Sequence, residues 1–510
     1  MAWNQFTWQI FTCARMLMVS PGIIVRQSLR PYGKSVPLIP RLLETRRMLQ
    51  NGATISLEQW LDLCKGREAS DPRDFINGGL ALVHTDDLEI NNGLHARDNQ
   101  EALELWPHLK ADYSFSTTDA LRNLAACLLS RPGGISLLLS ISSRVRDGQG
   151  IDADYSAAQI IDIYHSRLFA FPGSRAQKVL AIADHLSTES VGEFSAEDAD
   201  SELRAMPSWI PNLGSFSSRF LDSFASQGVR TLTTCASLDN QPKISSNGTT
   251  LYLDAAKLTV VEMVCHSLLE KGQLPLIEFA LNLPHSLPQY KNQNVLTVLA
   301  QTCLASTWAK GQDRNKEQVG LMRFFQSGRS DVREQASRSH WGKSSKSRTA
   351  EWTTLERAYE ALEAKYPELR RKQKSGSESR IGERFNEDSG RLMAWRSLFV
   401  TKDGHLGLGP SWLEEGDQVM LVKGGHVPYI FRHVNRILMR KAQVIKDELA
   451  DYKGTLSQVR REALQDLVRR TEEKIGQLEA WVLIGEAYVR GVMEDDTVVS
   501  TAEWQRVAIV

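Results

Sequence analysis

Cysteines, histidines and close acid pairs are the residues of this 510-residue chain from which reactive chemistry could be assembled. The six cysteines stand at 13, 64, 127, 235, 265 and 303. None pairs as C-x-x-C, and none has partners at metal-finger spacing, so they read as reduced, buried thiols. His405, His426 and His433 fall near one another, yet zinc wants a fourth ligand in fixed geometry and no cysteine is close. They read as turn or surface histidines. Asp86, Asp87 and Glu89 offer an acid and a base in principle. In a polar loop such a group is solvated. Cys265 and His266 are neighbours, so on a strand they face opposite sides, which argues against a nucleophile–base couple. Gly404-His405-Leu406-Gly407-Leu408-Gly409 is glycine-rich in the order G-x-x-G-x-G, with no helix after it. A dinucleotide loop must open a helix to seat a phosphate, so these glycines read as β-turn residues. No G-x-S-x-G elbow, H-E-x-x-H helix or Walker lysine occurs. No catalytic, cofactor-binding or metal-ligating residue is assigned, and no cofactor is implied.

The elements that would position any site divide the chain. Ile39, Leu42, Leu43 and Arg46, then Leu57, Trp60, Leu61 and Leu63, fall at helical spacing and predict two short helices over 38–66. Asp71 is placed as an N-cap, Pro72 as the first helical residue and Asp74 in the first turn, where the helix dipole favours an anion. Thr117-Thr118-Asp119 opens a helix with Leu121, Leu124, Ala125 and Leu128 on one face. Residues 143–205 predict further helices, with 188–204 as an acidic loop or loosely held helix. Lys243 to Leu253 predicts a hairpin around Asn247-Gly248 with a type I′ turn. Residues 258–270 read as a strand running into a helix. Residues 310–380 carry 17 basic and 10 acidic residues. That stretch reads as a polar linker, loop-like over 328–350, with a charged surface helix over 353–374.

A β-rich tail follows. Ser397–Thr401 and His405–Leu408 flank the Lys402-Asp403-Gly404 turn, and Asp417–Val422 and Val427–Arg432 flank Gly424-Gly425. Pro428 suits an edge or strand start. Trp481–Val489 is a further strand. Between them, Leu438, Ala442, Ile445, Leu449 and Tyr452, then Leu464, Leu467, Thr471, Ile475 and Leu478, step by three and four, predicting an inserted helical hairpin over 436–480. The expected fold class is α+β: a helical region 1–205, a mixed region 206–305, a basic linker 306–390 and a β-rich unit 391–510.

Lys+Arg and Asp+Glu both number 61, so no net field draws the chain to polyanions or membranes. The basic stretch carries interspersed acids and no regular aromatic series, so no nucleic-acid partner is expected. No apolar run spans a bilayer, and Arg15 interrupts the only apolar stretch at the start, so neither a membrane partner nor a signal peptide is expected. No acid precedes Glu44, a charge pattern shared with mitochondrial presequences; the alternative is a folded segment. Asn247-Gly248-Thr249 reads as a turn rather than a glycosylation acceptor. The expected location is cytoplasmic.

Five strings, in one order, resemble the fungal heterokaryon-incompatibility family. Cys64 to Asp74 followed by Gly79-Leu80-Ala81-Leu82 resembles its "R-x-A-T-D-P-R-D-K-V-Y-A-L-L-G-L", with Phe75 where lysine is usual. Ala111-Asp112-Tyr113-Ser114 and the next helix resemble its following step. Met206-Pro207-Ser208-Trp209-Ile210-Pro211 resembles "L-P-S-W-V-P-D-W". Phe399-Val400-Thr401, Gly404 to Pro410 and Gly416-Asp417 resemble "F-x-T-x-x-G-x-x-G-x-G-P…G-D". Leu483 to Met493 resembles "L-V-G-E-A-Y-V-H-G-I-M". Residues 143–205 and 434–480 stand as insertions. The motifs of the family's namesake domain, "A-L-S-Y-x-W-G" and "W-I-D-A-I-C-I-N-Q", find no counterpart in the sequence, and the domain is expected to be missing or degenerate. The resemblance implies a non-enzymatic member or fragment acting through protein contacts in fungal self/non-self recognition. Two alternatives stay open: an enzyme whose site forms from residues distant in sequence, and a partner-binding module using the 436–480 hairpin. The shared strings themselves read as caps, turns and buried strands.

Overall fold

A β-strand that pairs along both sides can tie distant parts of a chain into one sheet, and residues 251–265 do so here. The computed structural model describes residues 38–64, 71, 73–89, 109–131, 133–142, 207–211, 229–245, 248–265, 274–290, 293–308, 315–339, 346–370, 376–393, 396–451, 458–476 and 479–510. The expected helices within 143–205, His266 and the continuation of the 258–270 segment past Cys265 lie outside these residues. So do Asn247 and the acid-free start.

The class is α+β, with helices in the first and middle regions and a β-rich C-terminal sheet. The helices are α1 Leu38–Gln50, α2 Leu57–Cys64, α3 Asp74–Asn77, α4 Thr117–Leu129, α5 Gly134–Ile141, α6 Thr233–Ala236, α7 Leu274–Asn282, α8 Val295–Cys303, α9 Asn315–Ser339, α10 Lys346–Lys365 and α11 Gly376–Met393. Later come α12 Val434–Asp451, α13 Gln458–Lys474 and α14 Thr497–Ser500. The strands are β1 Lys243–Ile244, β2 Leu251–Cys265, β3 Arg396–Thr401, β4 Leu406–Pro410, β5 Gln418–Val422, β6 Tyr429–His433, β7 Ala480–Glu486, β8 Tyr488–Val489 and β9 Trp504–Ile509. Ser116 caps α4, its hydroxyl accepting the Asp119 N–H at 3.1 Å. The apolar face Leu121, Leu124, Ala125 and Leu128 is buried, each leucine contributing about 2 kcal/mol by leaving water.

Pairings β5–β6, β6–β7, β7–β9, β9–β2 and β2–β5 close a ring. All are antiparallel except β7–β9. Strand β2 makes closure possible by its length. Leu251–Ala256 pairs with β9, Ala255–Val260 with β5, and Val261–Cys265 with β3. The β3–β4 hairpin then extends the sheet to β8. Helix α7 packs against β2, α8 against β4, α11 against β3 and α5 against β7.

Several expectations shift. The 243–253 hairpin exists, but Ile244 pairs with Leu251, so its loop is longer than a two-residue turn. Residues 251–265 form one strand where two separate segments were expected. The expected loop over 328–350 is largely helical, lying in α9 and α10, and α10 and α11 both pack on α9. Leu321, Phe325, Tyr359, Leu362, Phe385 and Leu392 are buried there, so apolar contacts outweigh the polar composition. The boundaries expected at 305 and 391 are both crossed by strand pairing, because β2 belongs to the same sheet as β3, β5 and β9. The strand expected over 481–489 is interrupted at Ala487, beside a register shift at Ile430/Phe431. The inserted hairpin is α12–α13, leaving the end of β6 and returning into β7.

Candidate functional site

Among the described residues, the acids and arginines of the recognised strings work largely as ties. Asp71 is not the N-cap expected of it: its carboxylate accepts the Arg73 N–H at 2.9 Å in the preceding turn, Arg73 is the N-cap residue, and the helix starts at Asp74, while Pro72 lies outside the described residues. The same carboxylate is gripped by the Arg73 guanidinium at 2.7–3.1 Å, which holds it below the ordinary aspartate range. Arg73 also donates to the carbonyls of Tyr113 and Phe115, both at 2.7 Å, and the Tyr113 hydroxyl donates to Asp74 at 2.6 Å. The first two recognised strings are thus one interlocked unit.

The Pro207-to-Pro211 string plugs a seam. Strands β7 and β9 pair only at Ala480 and Trp481 and then diverge. Ser208 enters the gap: its hydroxyl accepts the Leu483 N–H at 3.0 Å and donates to the Val510 carbonyl at 2.5 Å. Trp209 is fully buried beside it, and its indole N–H donates to the Thr249 carbonyl at 3.3 Å.

At the Gly416-Asp417 string the ties form a buried ion network. Asp417 is 0% exposed, and Arg432 on β6 is 3% exposed in its side chain. Arg432 forks onto Asp417 at 2.8 and 2.9 Å, and donates to the Trp412 carbonyl at 2.9 Å. Its third nitrogen lies 3.1 Å from Glu414. Asp417 also accepts the Glu414 N–H at 2.9 Å and Arg436, from α12, at 3.3 Å. Burial raises the Asp417 carboxyl above its ordinary range, and the Arg432 hydrogen bonds oppose that shift. Gly416 has φ +83°, and a Cβ there would sit 2.8 Å from the Arg436 guanidinium. Only glycine admits both the left-handed turn and the close arginine.

A polar convergence involves two strings and two helical segments. Arg490 donates to the Ser306 hydroxyl at 2.7 Å and to Gln293 at 3.4 Å. Ser306 shares a 2.7 Å hydrogen bond with the Tyr488 hydroxyl, which also donates to Glu494 at 2.9 Å. Glu494 accepts the Gly491 N–H at 2.5 Å. On the other side of the Arg490 backbone, its carbonyl accepts the Tyr290 hydroxyl at 2.8 Å and lies 3.2 Å from His405 Nδ1. Burial lowers the His405 pKa from its ordinary value, favouring the neutral ring. Ala305 and Ser306 both adopt left-handed backbone, φ 43° and 54°. The Ala305 N–H bonds to the Thr302 carbonyl and the Ser306 N–H to the Gln301 carbonyl, a Schellman closure of α8 with alanine where glycine is favoured.

The remaining candidates do not assemble. Asp87 takes Arg131 at 2.6 Å and the Leu57 N–H at 3.1 Å, a bridge between helices rather than half of an acid–base pair. His433 stacks edge-on with Trp481, away from the His405 cluster. Among the described residues no three His, Cys, Asp or Glu side chains group to hold a metal ion. Burial pushes the thiols of Cys127, Cys235 and Cys265 up to about 12, leaving them protonated at neutral pH. Of the glycine run, Gly404 does turn, with φ +83°, but Gly407 lies in β4, where a Cβ would meet the Phe399 ring at 2.3 Å. That glycine serves close packing, not a turn. The Ser306 convergence was not read from sequence: residues 290, 306, 405 and 490 share no local signal.

Residues 318–451 match a family model described as the Het-6 beta-barrel domain. The C-terminal region is therefore related to fungal heterokaryon-incompatibility proteins. The chain matches no curated protein and no solved structure. Among the described residues no helix is long and apolar enough to cross a membrane.

Proposed function

We propose that the chain is a non-enzymatic relative of the heterokaryon-incompatibility proteins, working through protein contacts in fungal self/non-self recognition from the cytoplasm. The α12–α13 hairpin is the element proposed to make those contacts. One observation carries the non-enzymatic reading: Arg73, Asp74, Asp417 and Arg432 each bond to another segment of the fold, and Asp71 and Glu494 close local turns, so these charges serve architecture. The hairpin is the complementary case. It interrupts the barrel between two adjacent strands, and Met439 on it is a large apolar side chain left 53% exposed.

Two measurements test this reading. Replacing 436–478 by a short flexible link should abolish crosslinking to a partner identified by mass spectrometry while the barrel stays folded; retained crosslinking sinks the hairpin assignment. Turnover of NAD by the purified chain would refute the non-enzymatic claim.

The convergence of Tyr290, Gln293, Ser306, His405, Tyr488, Arg490 and Glu494 favours the second reading, an enzyme whose site is assembled from distant residues. Strained backbone at a polar cluster is where function concentrates. On that reading, Ser306→Ala and Arg490→Met remove an activity found by substrate screening while the barrel's amide protection holds. An activity untouched by both variants dismisses the site.

A further inference from the structure

The helical hairpin is bound to the barrel by more than its two chain connections. At its base, the Asn435 side chain accepts the Gly476 N–H at 3.0 Å, stitching the start of α12 to the end of α13. The loop 411–417 then reaches across the first turns of α12. Arg436 donates to Asp417 and to the Glu415 carbonyl, and Arg440, one turn on, pairs with Glu414. Residues four apart on a helix share a face, so both arginines meet this one loop. The loop is itself fixed from behind. Gly416 N–H donates to the Val261 carbonyl at 2.7 Å, and the Trp412 indole donates to the Ile484 carbonyl at 3.0 Å. Farther out, the charged pairs stay within the hairpin: Lys446–Glu472 at 2.7 Å, Arg469–Glu473 at 2.7 Å and Arg470–Asp466 at 2.6 Å.

We propose that the 411–417 loop is a clasp that sets the angle at which the hairpin leaves the barrel, and that releasing it lets the hairpin swing while the barrel stays closed. The proposal rests on the reading that the hairpin carries the contact surface, since a prong held at one angle loses less freedom on binding than a loose one. Leverage makes the angle matter. Helix α12 has 18 residues. At the standard rise it is about 27 Å long, so a turn of about 10° at its base carries the tip about 5 Å. The outer arginines can be removed at limited risk: Arg436 and Arg440 are 37% and 49% exposed, whereas Asp417 and Arg432 behind them are buried.

The test uses the full chain, with fluorophores introduced as unnatural amino acids at Ala450 near the far end of α12 and at Gln505 on β9. Both positions are exposed. Single-molecule energy transfer should give one narrow distance distribution for the wild type. Arg436→Ala with Arg440→Ala should broaden it by about 5 Å, while amide protection in β5 and β6 stays at the wild-type level. Arg436→Lys with Arg440→Lys, which keeps charge but loses the fork, should fall between. A double-alanine variant as narrow as the wild type overturns the clasp, because packing on β6 and β7 then suffices. Broadening with lost β5–β6 protection overturns it as well, because hairpin and barrel are then one unit. The distance measurement needs no partner, so its failure is separate from any failure of the partner reading.

Discussion

Changing Asp417 to Asn leaves the shape of the side chain and removes its charge. The Arg432 guanidinium then remains buried without its forked carboxylate. Breaking a buried pair from one side costs about 3–5 kcal/mol. Here the lower end applies, because Glu414 stays 3.1 Å from Arg432 and the new amide oxygen still accepts one hydrogen bond. About 3 kcal/mol corresponds to roughly a hundredfold in an opening equilibrium. The chain has several packed layers, so a single unfolding free energy is a poor readout. Amide exchange resolved by segment is better: Val419–Val422 in β5 and Ile430–Arg432 in β6 should lose about a hundredfold protection under conditions where opening is at equilibrium. The companion variant is Asp417→Leu with Arg432→Met. Replacing both partners by apolar groups is often near neutral, and here it gives up the donor to the Trp412 carbonyl and the acceptor of the Glu414 N–H, about 1 kcal/mol each. Loss of less than about tenfold in Asp417→Asn, or equal losses in single and double variants, would show that the pair does not hold the strands.

Ser208→Ala should cost about 1–3 kcal/mol by stranding the buried Leu483 N–H, read as faster exchange at Leu483 with β5 unchanged. Ala305→Gly should stabilise α8 by about 0.5 kcal/mol and Ala305→Val destabilise it by more than about 1 kcal/mol, measured by exchange in Val298–Cys303. His405 has a folded pKa below its unfolded value, with Asp403 and Glu494 opposing the burial that lowers it. The unfolded state therefore binds more protons as pH falls below about 6.5, so stability drops on acidification through that window and the slope flattens in His405→Asn. A fragment limited to 318–451 should not fold, because β2, β7 and β9 of the ring lie outside it; a fragment of 229–510 should show far better β-sheet dichroism.

The parts legible in the sequence are those with local causes. Helices α1, α2 and α4 follow from apolar spacing, and the two late β-hairpins from glycine turns. The α12–α13 insertion follows from a sustained three-and-four step. What sequence pattern missed is non-local. Sequence pattern divides strand β2 at Asp254-Ala255-Ala256-Lys257, whose residues favour no strand; they lie in one because β9 and β5 pair across Ala255 and Ala256 from either side. The Trp504–Ile509 strand carried no expectation, and its role depends on pairing some 250 residues away in the chain with β2. The polar sequence of α9 and α11 hid Leu321, Phe325, Phe385 and Leu392, which were the available signal for packing. The Arg490 convergence had no signal, since its members approach only once the barrel closes.

The recognised strings share a physical property: each lies where two parts of the fold that could separate are joined. Arg73 joins the 71–77 turn to the 113–115 segment. Ser208 fills the gap where β7 and β9 part. Asp417 joins β5 and β6 to the root of the hairpin. Tyr488 and Arg490 join the barrel to the end of α8. Apolar burial is non-directional and would tolerate some slippage at these junctions, whereas a forked arginine or a hydroxyl bridging two strands fixes one register. A scaffold built this way can accept a long insertion between β6 and β7 without losing closure. Its ladder runs through backbone pairing on both flanks, and the insertion's own position is held from outside, by the loop before β5. The inserted hairpin thus meets the residues that hold the ring shut at its root, through Arg436 and Asp417.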